Sequence, residues 1–546
     1  MKKIFTSAAI ICSLLIACNS QDQNSSSSDN GASEREKKIT KRDYTINSSN
    51  AYNDIFIDSS NVENFISQKK IPDSISRRIR SFYNARNYQY AWFSSEGLTE
   101  QALAFWNLHN FATYEGDTSL KNTTLQKKMD DIVADSDFTV KASDKSMVNT
   151  ELTLTEHFIK YSLGNYARAF LKRKEMERFV PIKKEEPLEY ADSLLNKKHK
   201  DNKYFEEVNN AYKLLKEELN KYVAIAKKGG WQQITGDAKK IKKGNSSPLI
   251  AELKKRLQLT GDMPAGDTTL TFNDSFANGI QHFQQRFGYK PDGIITATLI
   301  KDMNVPVEKR IEQILINMNR MRWMPQEPGR KLILVNIPEF VLHFVDGKNK
   351  VFDMDVVVGK EGHNTMMFTG KLSTIVFSPY WNVPPSIVKN EIMPKLESNP
   401  NYLAEQNMEI TGNDGGLPVI RQLPGEKNSL GKVKFLFPNS FNIYFHDTPA
   451  KSLFSKDKRA YSHGCIRLSD PVKMAEYLLK DDSSWPPEKI MEAMNSGNEK
   501  FVKIKDPVPV FITYYTAWVD ENGSLNFRDD IYSRDAILAQ KMFVAK

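Results

Sequence analysis

Residues Tyr461–Pro471 read YSHGCIRLSDP, with a histidine, a glycine and a cysteine in a row. Cys465 is one of three cysteines in 546 residues, and the other two, Cys12 and Cys18, lie in the first eighteen positions. A thiol with an ordinary pKa of about 8.5 is mostly protonated at neutral pH, so a nucleophilic cysteine needs a neighbour that takes its proton. A zinc site from His446, His463 and Cys465 is conceivable by ligand type, but His463 and Cys465 flank a single glycine and no fourth ligand is evident. A buried structural cysteine is the plain alternative. Asp470 and Pro471 suit the N-cap and first position of a helix that runs to Lys480.

Upstream, Phe441–Thr448 reads FNIYFHDT. Phe441, Ile443 and Phe445 alternate with Asn442, Tyr444 and His446, which predicts a strand with the apolar side chains on one face and Tyr444 and His446 on the other. His446 precedes Cys465 by 19 residues, enough chain to leave a strand and return beside it. An imidazole there can accept the thiol proton. Gly464 lets the chain turn so that backbone N–H groups face one point and stabilise a developing oxyanion. If the chain is extended after Cys465, Arg467 shares its face, and a guanidinium there clamps carboxylates.

Outward from this centre the chain reads as a multi-domain α+β protein. Residues 51–240 are helical in pattern. Phe205, Val208, Tyr212, Leu215, Leu219 and Tyr222 form one apolar stripe, which Gly229-Gly230 stops. His109, His157 and His199 read as isolated, structural or exposed. A smaller helical unit spans 246–305, with Leu249, Leu253 and Leu257 on one helix face and Phe276, Ile280, Phe283 and Phe287 on another. His282 reads as a surface residue. A helix over 307–321 ends in MRWMP and could pack back on the first region. From Lys331 the period becomes two, predicting an antiparallel, β-rich domain over 331–518. His343 and His363 read there as a strand and a loop residue without chemistry. A helical, then Gly/Pro-rich stretch over 387–432 predicts an insertion lying over the site as a lid. Residues 519–546 form a C-terminal extension.

The N-terminus, MKKIFTSAAIICSLLIAC, has two lysines and then an apolar run too short to span a bilayer comfortably, as in a secretory signal over 1–17. Residues Asn19 to Asn50 are nearly devoid of apolar side chains and read as a flexible tether, so that 18–50 forms a linker. The charge balance of 76 basic to 67 acidic residues is mild, and no dense basic run with interleaved aromatics points to nucleic acid.

Three resemblances sharpen this reading. Leu15-Ile16-Ala17-Cys18 resembles a bacterial lipobox. That implies cleavage before Cys18, lipidation of its thiol and a membrane anchor, and Asn19 suggests the periplasmic face of the outer membrane by the sorting habit of enteric-type bacteria. The unit 246–305, with its FQ…G…DG pattern, resembles a small peptidoglycan-binding domain. His446, fifteen intervening residues and then SHGCIR resemble the signature of the L,D-transpeptidase catalytic domain. Arg467, WNVPP (Trp381–Pro385) and HDTP (His446–Pro449) fit its large multi-domain branch, with an N-terminal scaffold matched through FYNARNYQYAWF and LTEHFIKYSLG.

These resemblances imply a cysteine acyltransferase that needs no cofactor and no metal. Cys465 would be the nucleophile and His446 the base. His463 would steady the thiol, and Gly464 with Cys465 would supply the oxyanion N–H groups. Trp381, Tyr444, Ser462 and Arg467 would line the substrate groove. What orients His446 stays open between a backbone carbonyl and Asp447. The implied partners are peptidoglycan stem peptides and glycan, the membrane through the N-terminal lipid, and peptidoglycan synthases. The alternatives are an L,D-carboxypeptidase, with water in place of an amine, and a wall-binding anchor with weak catalysis.

Overall fold

The computed structural model describes residues 38–544 except 136, 167–172, 197–209, 237–240, 325–330 and 348. The signal segment, Cys18, His199, Phe205 and Val208 lie outside the described residues. Buried apolar side chains sort into four clusters among the described residues.

The first cluster is the helical N-terminal region. Two quoted segments meet at its centre. Ala91 and Trp92 donate their backbone N–H groups to buried Glu151 at 2.7 and 3.0 Å. Trp92 Nε1 donates to Thr155 at 2.9 Å. Burial pushes the Glu151 carboxyl up to about 7, against these donors. A two-stranded ribbon, β1 (Phe93–Ser94) and β2 (Gly97–Leu98), follows. The predicted stripe lies on helix Asn210–Lys227, with Tyr212, Leu215, Leu219 and Tyr222 buried. The helix Val307–Met321 packs back into this cluster, as do Ala517, Leu525, Phe527, Leu538, Met542 and Phe543 from the chain's end. Arg320 ties the three parts together, with Glu100 at 2.7 Å and Asp535 at 2.5 Å. Loss of one partner from such a buried set costs about 3–5 kcal/mol.

The expected tether is shorter than its composition suggested. From residue 38 the chain is held on the scaffold: Thr40 N donates to Ser81 Oγ at 3.1 Å, Asp43 N to the Asn84 carbonyl at 3.0 Å, and Ile46 is buried. Polar residues here order through hydrogen bonds rather than apolar burial. His109 and His157 are not isolated either. They meet in the scaffold core, His109 Nε2 to His157 Nδ1 at 3.0 Å.

The small unit has its own core of Ile250, Leu253, Leu257, Phe276, Ile280 and Phe283. His282 bonds to Asp262 at 2.9 Å on its flank.

The C-terminal domain is a nine-stranded sheet. Its strands are β3 (Lys331–Asn336), β4 (Val341–Asp346), β5 (Asn349–Gly359), β6 (Phe368–Phe377), β10 (Val433–Leu436), β11 (Phe445–His446), β12 (Ala460–Ser462), β13 (Ile466–Leu468) and β14 (Lys500–Thr513). Their order is β12-β5-β13-β11-β10-β6-β14-β3-β4, and the sheet curls until β4 also pairs with β5. The antiparallel expectation needs correction. β11–β13, β14–β3 and β12–β5 are parallel pairs. The period of two marks a strand but carries no information on direction.

The insertion forms a separate lobe. β7 (Trp381–Asn382), β9 (Leu417–Gln422) and β8 (Met408–Asp414) make a three-stranded sheet. Trp381 already pairs with Gln422, so the lobe begins there rather than at 387. Its helical run, Pro385–Ile387, Val388–Ile392 and Met393–Ser398, is π-wound in the middle.

The buried histidine pair makes the scaffold acid-labile. Burial holds both imidazoles below their ordinary value, His157 at about 3. The folded state therefore keeps them neutral, while the unfolded chain takes up protons near pH 6.5. Stability from His157 is complete above that pH and is lost as pH falls towards the depressed value, at about 1.4 kcal/mol per unit. Urea unfolding of the wild type should lose about 2 kcal/mol more between pH 6.5 and 5 than that of His157→Gln. Equal slopes would refute this.

Candidate active site

The parallel pair β11–β13 sets the site. Its register aligns Phe445 with Ile466 and His446 with Arg467, and Ile466 N donates to the Tyr444 carbonyl at 3.2 Å. Cys465 therefore lies beside Tyr444, two residues before Arg467. On the other side of β11, Lys434 is aligned with His446. Alternation then puts Lys434, His446 and Arg467 in one row across the sheet, with Tyr444 and Cys465 in the next row on the same face. Phe445 and Ile466 point the opposite way into the core. Cys465 and His446 are thus diagonal neighbours on that face.

His446 is buried, and its Nδ1 lies 2.5 Å from the Asp447 carbonyl oxygen. A carbonyl only accepts, so Nδ1 carries the hydrogen and Nε2 keeps the lone pair. The Asp447 carboxylate is occupied elsewhere, accepting from Lys432 N at 2.9 Å and Lys451 Nζ at 2.7 Å. Thus the backbone carbonyl, not the carboxylate, orients the imidazole. Burial, then the Arg467 and Lys434 charges, lower His446 to about 3.

Cys465 is half-buried, and its Sγ lies 3.7 Å from the Asn442 carbonyl. Burial raises the thiol pKa, while hydrogen bonds from Tyr444 and the charge of Arg467 work the other way. The resting pair is therefore a thiol and a neutral imidazole. Tyr444 makes a T-shaped contact with the His446 ring at 5.8 Å. Burial, and its bond to Cys465, raise its own hydroxyl.

The remaining sequence candidates sit differently from expectation. Gly464 has φ +108°, where an L side chain is strained. Its N–H donates to Ser462 Oγ at 3.2 Å, and Ser462 Oγ donates to the Cys465 carbonyl at 2.5 Å. Ser462 thus closes the loop that bears Cys465 on itself instead of facing the groove. Of the two expected oxyanion donors, Gly464 N–H is already engaged. His463 is bonded not to the thiol but to Glu391 Oε1 of the insertion, at 2.6 Å, and its ring lies 4.7 Å from that of His363. Trp381 packs against the core of the insertion. Arg467 Nε is buried with no hydrogen-bond partner among the described residues.

Lys434 and Glu391 were not singled out from the sequence. Alternation in VKFLFP, with Val433, Phe435 and Phe437 buried, carried the signal for Lys434. Glu391 carried none.

The thiol, the tautomer-fixed imidazole and the adjoining guanidinium coincide with a family match. The model described as "L,D-transpeptidase catalytic domain" matches residues 330–510. Over these residues the chain is similar to L,D-transpeptidase catalytic domains. Two further matches precede this segment: "Scaffold domain" over 77–219 and "Putative peptidoglycan binding domain" over 246–303. A "Putative L,D-transpeptidase" of Haemophilus influenzae is 32% identical over 252 residues, 43% of this chain and 50% of that protein. The chain thus spans about half the length of that curated relative. A solved L,D-transpeptidase from Stackebrandtia nassauensis aligns over 51% of this chain and 97% of its own, at 13% identity and a TM-score of 0.20. One from Mycobacterium smegmatis aligns over 34% and 58%, at 15% identity and 0.19.

Because Lys434 and Arg467 both repel a proton from His446, removing one charge should raise the imidazole's pKa. Lys434→Met keeps the apolar stem and should raise it by about half to one unit in an NMR titration of the ring protons. An unchanged or lower value would refute the row of charges.

Proposed function

We propose that the protein is an L,D-transpeptidase that joins third-position residues of peptidoglycan stem peptides through a thioester on Cys465. The observation that carries this reading is the shared face of Cys465 and an imidazole whose free nitrogen is fixed by a backbone carbonyl. His446 Nε2 takes the Sγ proton as sulfur attacks the third-residue carbonyl carbon. The oxyanion forms against the Cys465 N–H, with the Tyr444 hydroxyl beside it. Collapse breaks the bond to the terminal D-alanine, whose nitrogen takes the proton from His446. A side-chain amine of a second stem then attacks the thioester and gives its proton to His446, and the thiolate leaves and is reprotonated.

Arg467 beside the imidazole is a carboxylate-recognising group, suited to a peptide that ends in a carboxylate, whereas Lys434 is already engaged by Glu499 at 3.5 Å and the Tyr380 carbonyl at 3.2 Å. The same cations keep His446 neutral at rest, with the Nε2 lone pair free. The insertion, joined to the nucleophile loop through Glu391 and His463, covers the groove as a cap. The peptidoglycan-binding-type unit supports glycan as the surface on which the enzyme works. The lipobox-like segment supports a lipid anchor at Cys18, a periplasm-facing envelope location and an encounter with peptidoglycan synthases at the wall.

Residues 38–546 incubated with a disaccharide-tetrapeptide should yield a cross-linked dimer and a transient adduct by mass spectrometry. Cys465→Ala should fold but give neither, and His446→Ala should be slower by at least about 100-fold. Tripeptide alone would make water the acceptor and the enzyme an L,D-carboxypeptidase. No adduct from a folded wild type would overturn the proposed function.

A further inference from the structure

Thr365 lies in the turn between β5 and β6, fully buried, and joins three pieces of chain. Its Oγ1 donates to the Gly464 carbonyl at 2.7 Å. The same oxygen accepts from Gly359 N at 2.9 Å, at the end of β5. Its own N–H donates to the Tyr532 hydroxyl at 3.3 Å. Tyr532 in turn donates to the Gly359 carbonyl at 2.5 Å. The turn is closed tightly: a Cβ on Gly359 would fall 2.0 Å from the His363 carbonyl oxygen. Lys360 N donates to the Ser462 carbonyl at 2.9 Å, so the turn grips the nucleophile loop at two points.

Tyr532 lies beyond residues 330–510 and comes from the segment that packs into the scaffold. Its N–H donates to the Tyr514 hydroxyl at 2.9 Å, and that hydroxyl donates to Asp530 at 2.7 Å. The helix Arg534–Met542 follows directly and carries Asp535, the partner of Arg320. A path of hydrogen bonds, joined by the backbone from Tyr532 to Asp535, therefore runs from the scaffold to the loop that bears Cys465.

The geometry of one peptide unit gives this path a consequence. Gly464 C=O and Cys465 N–H belong to the same planar, trans amide, so they point in opposite directions. A hydroxyl that pins the Gly464 carbonyl also aims the Cys465 N–H. Gly464 N–H is already committed to Ser462, whereas Cys465 N–H has no hydrogen bond among the described residues. Gly464, at φ +108°, has wide backbone freedom, so without the pin this amide could rotate.

We propose that Thr365 and Tyr532 are positioning residues that fix the Gly464–Cys465 amide and so orient the oxyanion-stabilising N–H for acyl transfer. The proposal rests on the acyl-transfer reading of the site. It makes the C-terminal segment part of the catalytic support.

Three variants test it in the full folded chain, Thr365→Val, Thr365→Ser and Tyr532→Phe, with two probes of Cys465. Acylation by p-nitrophenyl acetate passes through an oxyanion. Alkylation by iodoacetamide needs the thiolate but no oxyanion. Thr365→Val and Tyr532→Phe should slow acylation by at least about 10-fold, by analogy with loss of an oxyanion donor. Their alkylation pH–rate profiles should stay within about 2-fold of wild type. Thr365→Ser, which keeps the hydroxyl, should return to within about 3-fold in both. If acylation and alkylation change in parallel, or if Val acylates as fast as Ser, the positioning role is overturned. A wild type that takes the ester but not the disaccharide-tetrapeptide would overturn the substrate assignment while leaving the positioning comparison readable. Should Thr365→Val fail to fold, Tyr532→Phe carries the same comparison.

Discussion

The two-step register between β11 and β13 is the constraint from which the site follows. It aligns His446 with Arg467 and so leaves Cys465 beside Tyr444. A slip of β13 by one residue would turn Cys465 and Arg467 into the core and expose Ile466. Burial of Phe445 and Ile466 therefore fixes the chemistry on the opposite face. The pairing is parallel, so the chain between the strands must cross over, and it uses that length to build the loop that carries the nucleophile.

A second layer of support comes from outside the sheet. The insertion reaches the nucleophile loop through the bond between Glu391 and His463, both partly exposed. The scaffold reaches it from behind through Tyr532 and Thr365. One side is a hydrogen bond at the surface, easily exchanged for water. The other is buried, where an unmade hydrogen bond costs more. The front of the site is thus suited to open and the back to hold.

The candidate pair of Cys465 and His446 was legible in the sequence. A lone thiol and a glycine before it are local features and keep their places, while the alternating strand shrinks to Phe445–His446 because Asn442 turns the chain at φ +54°. Asp470 accepts from Lys473 N at 3.1 Å as the N-cap, with Pro471 next. Local reading misled where a side chain turned back on its own backbone: Ser462 and Gly464 bond to each other rather than facing the groove. It was silent where contacts are distant. Thr365 and Tyr532 are 167 positions apart, and no periodicity links them. Lys434 could have been found by extending the alternation already applied to Phe445. The tether's inner half could not, because its order comes from hydrogen bonds to residues such as Ser81 and Asn84.

The end of the chain completes the core of its beginning. Phe543 pairs with Glu185 in an isolated bridge, and Glu185 N donates to the Met542 carbonyl at 2.9 Å. Segments so far apart in sequence, meeting in this way, impose an order on assembly. The scaffold helices are made before residues 517–543, and their apolar surface stays open until those residues arrive. The helical region is thus closed only after the sheet that follows it has been made. A premature stop near the end would leave an open scaffold in front of an otherwise complete catalytic sheet.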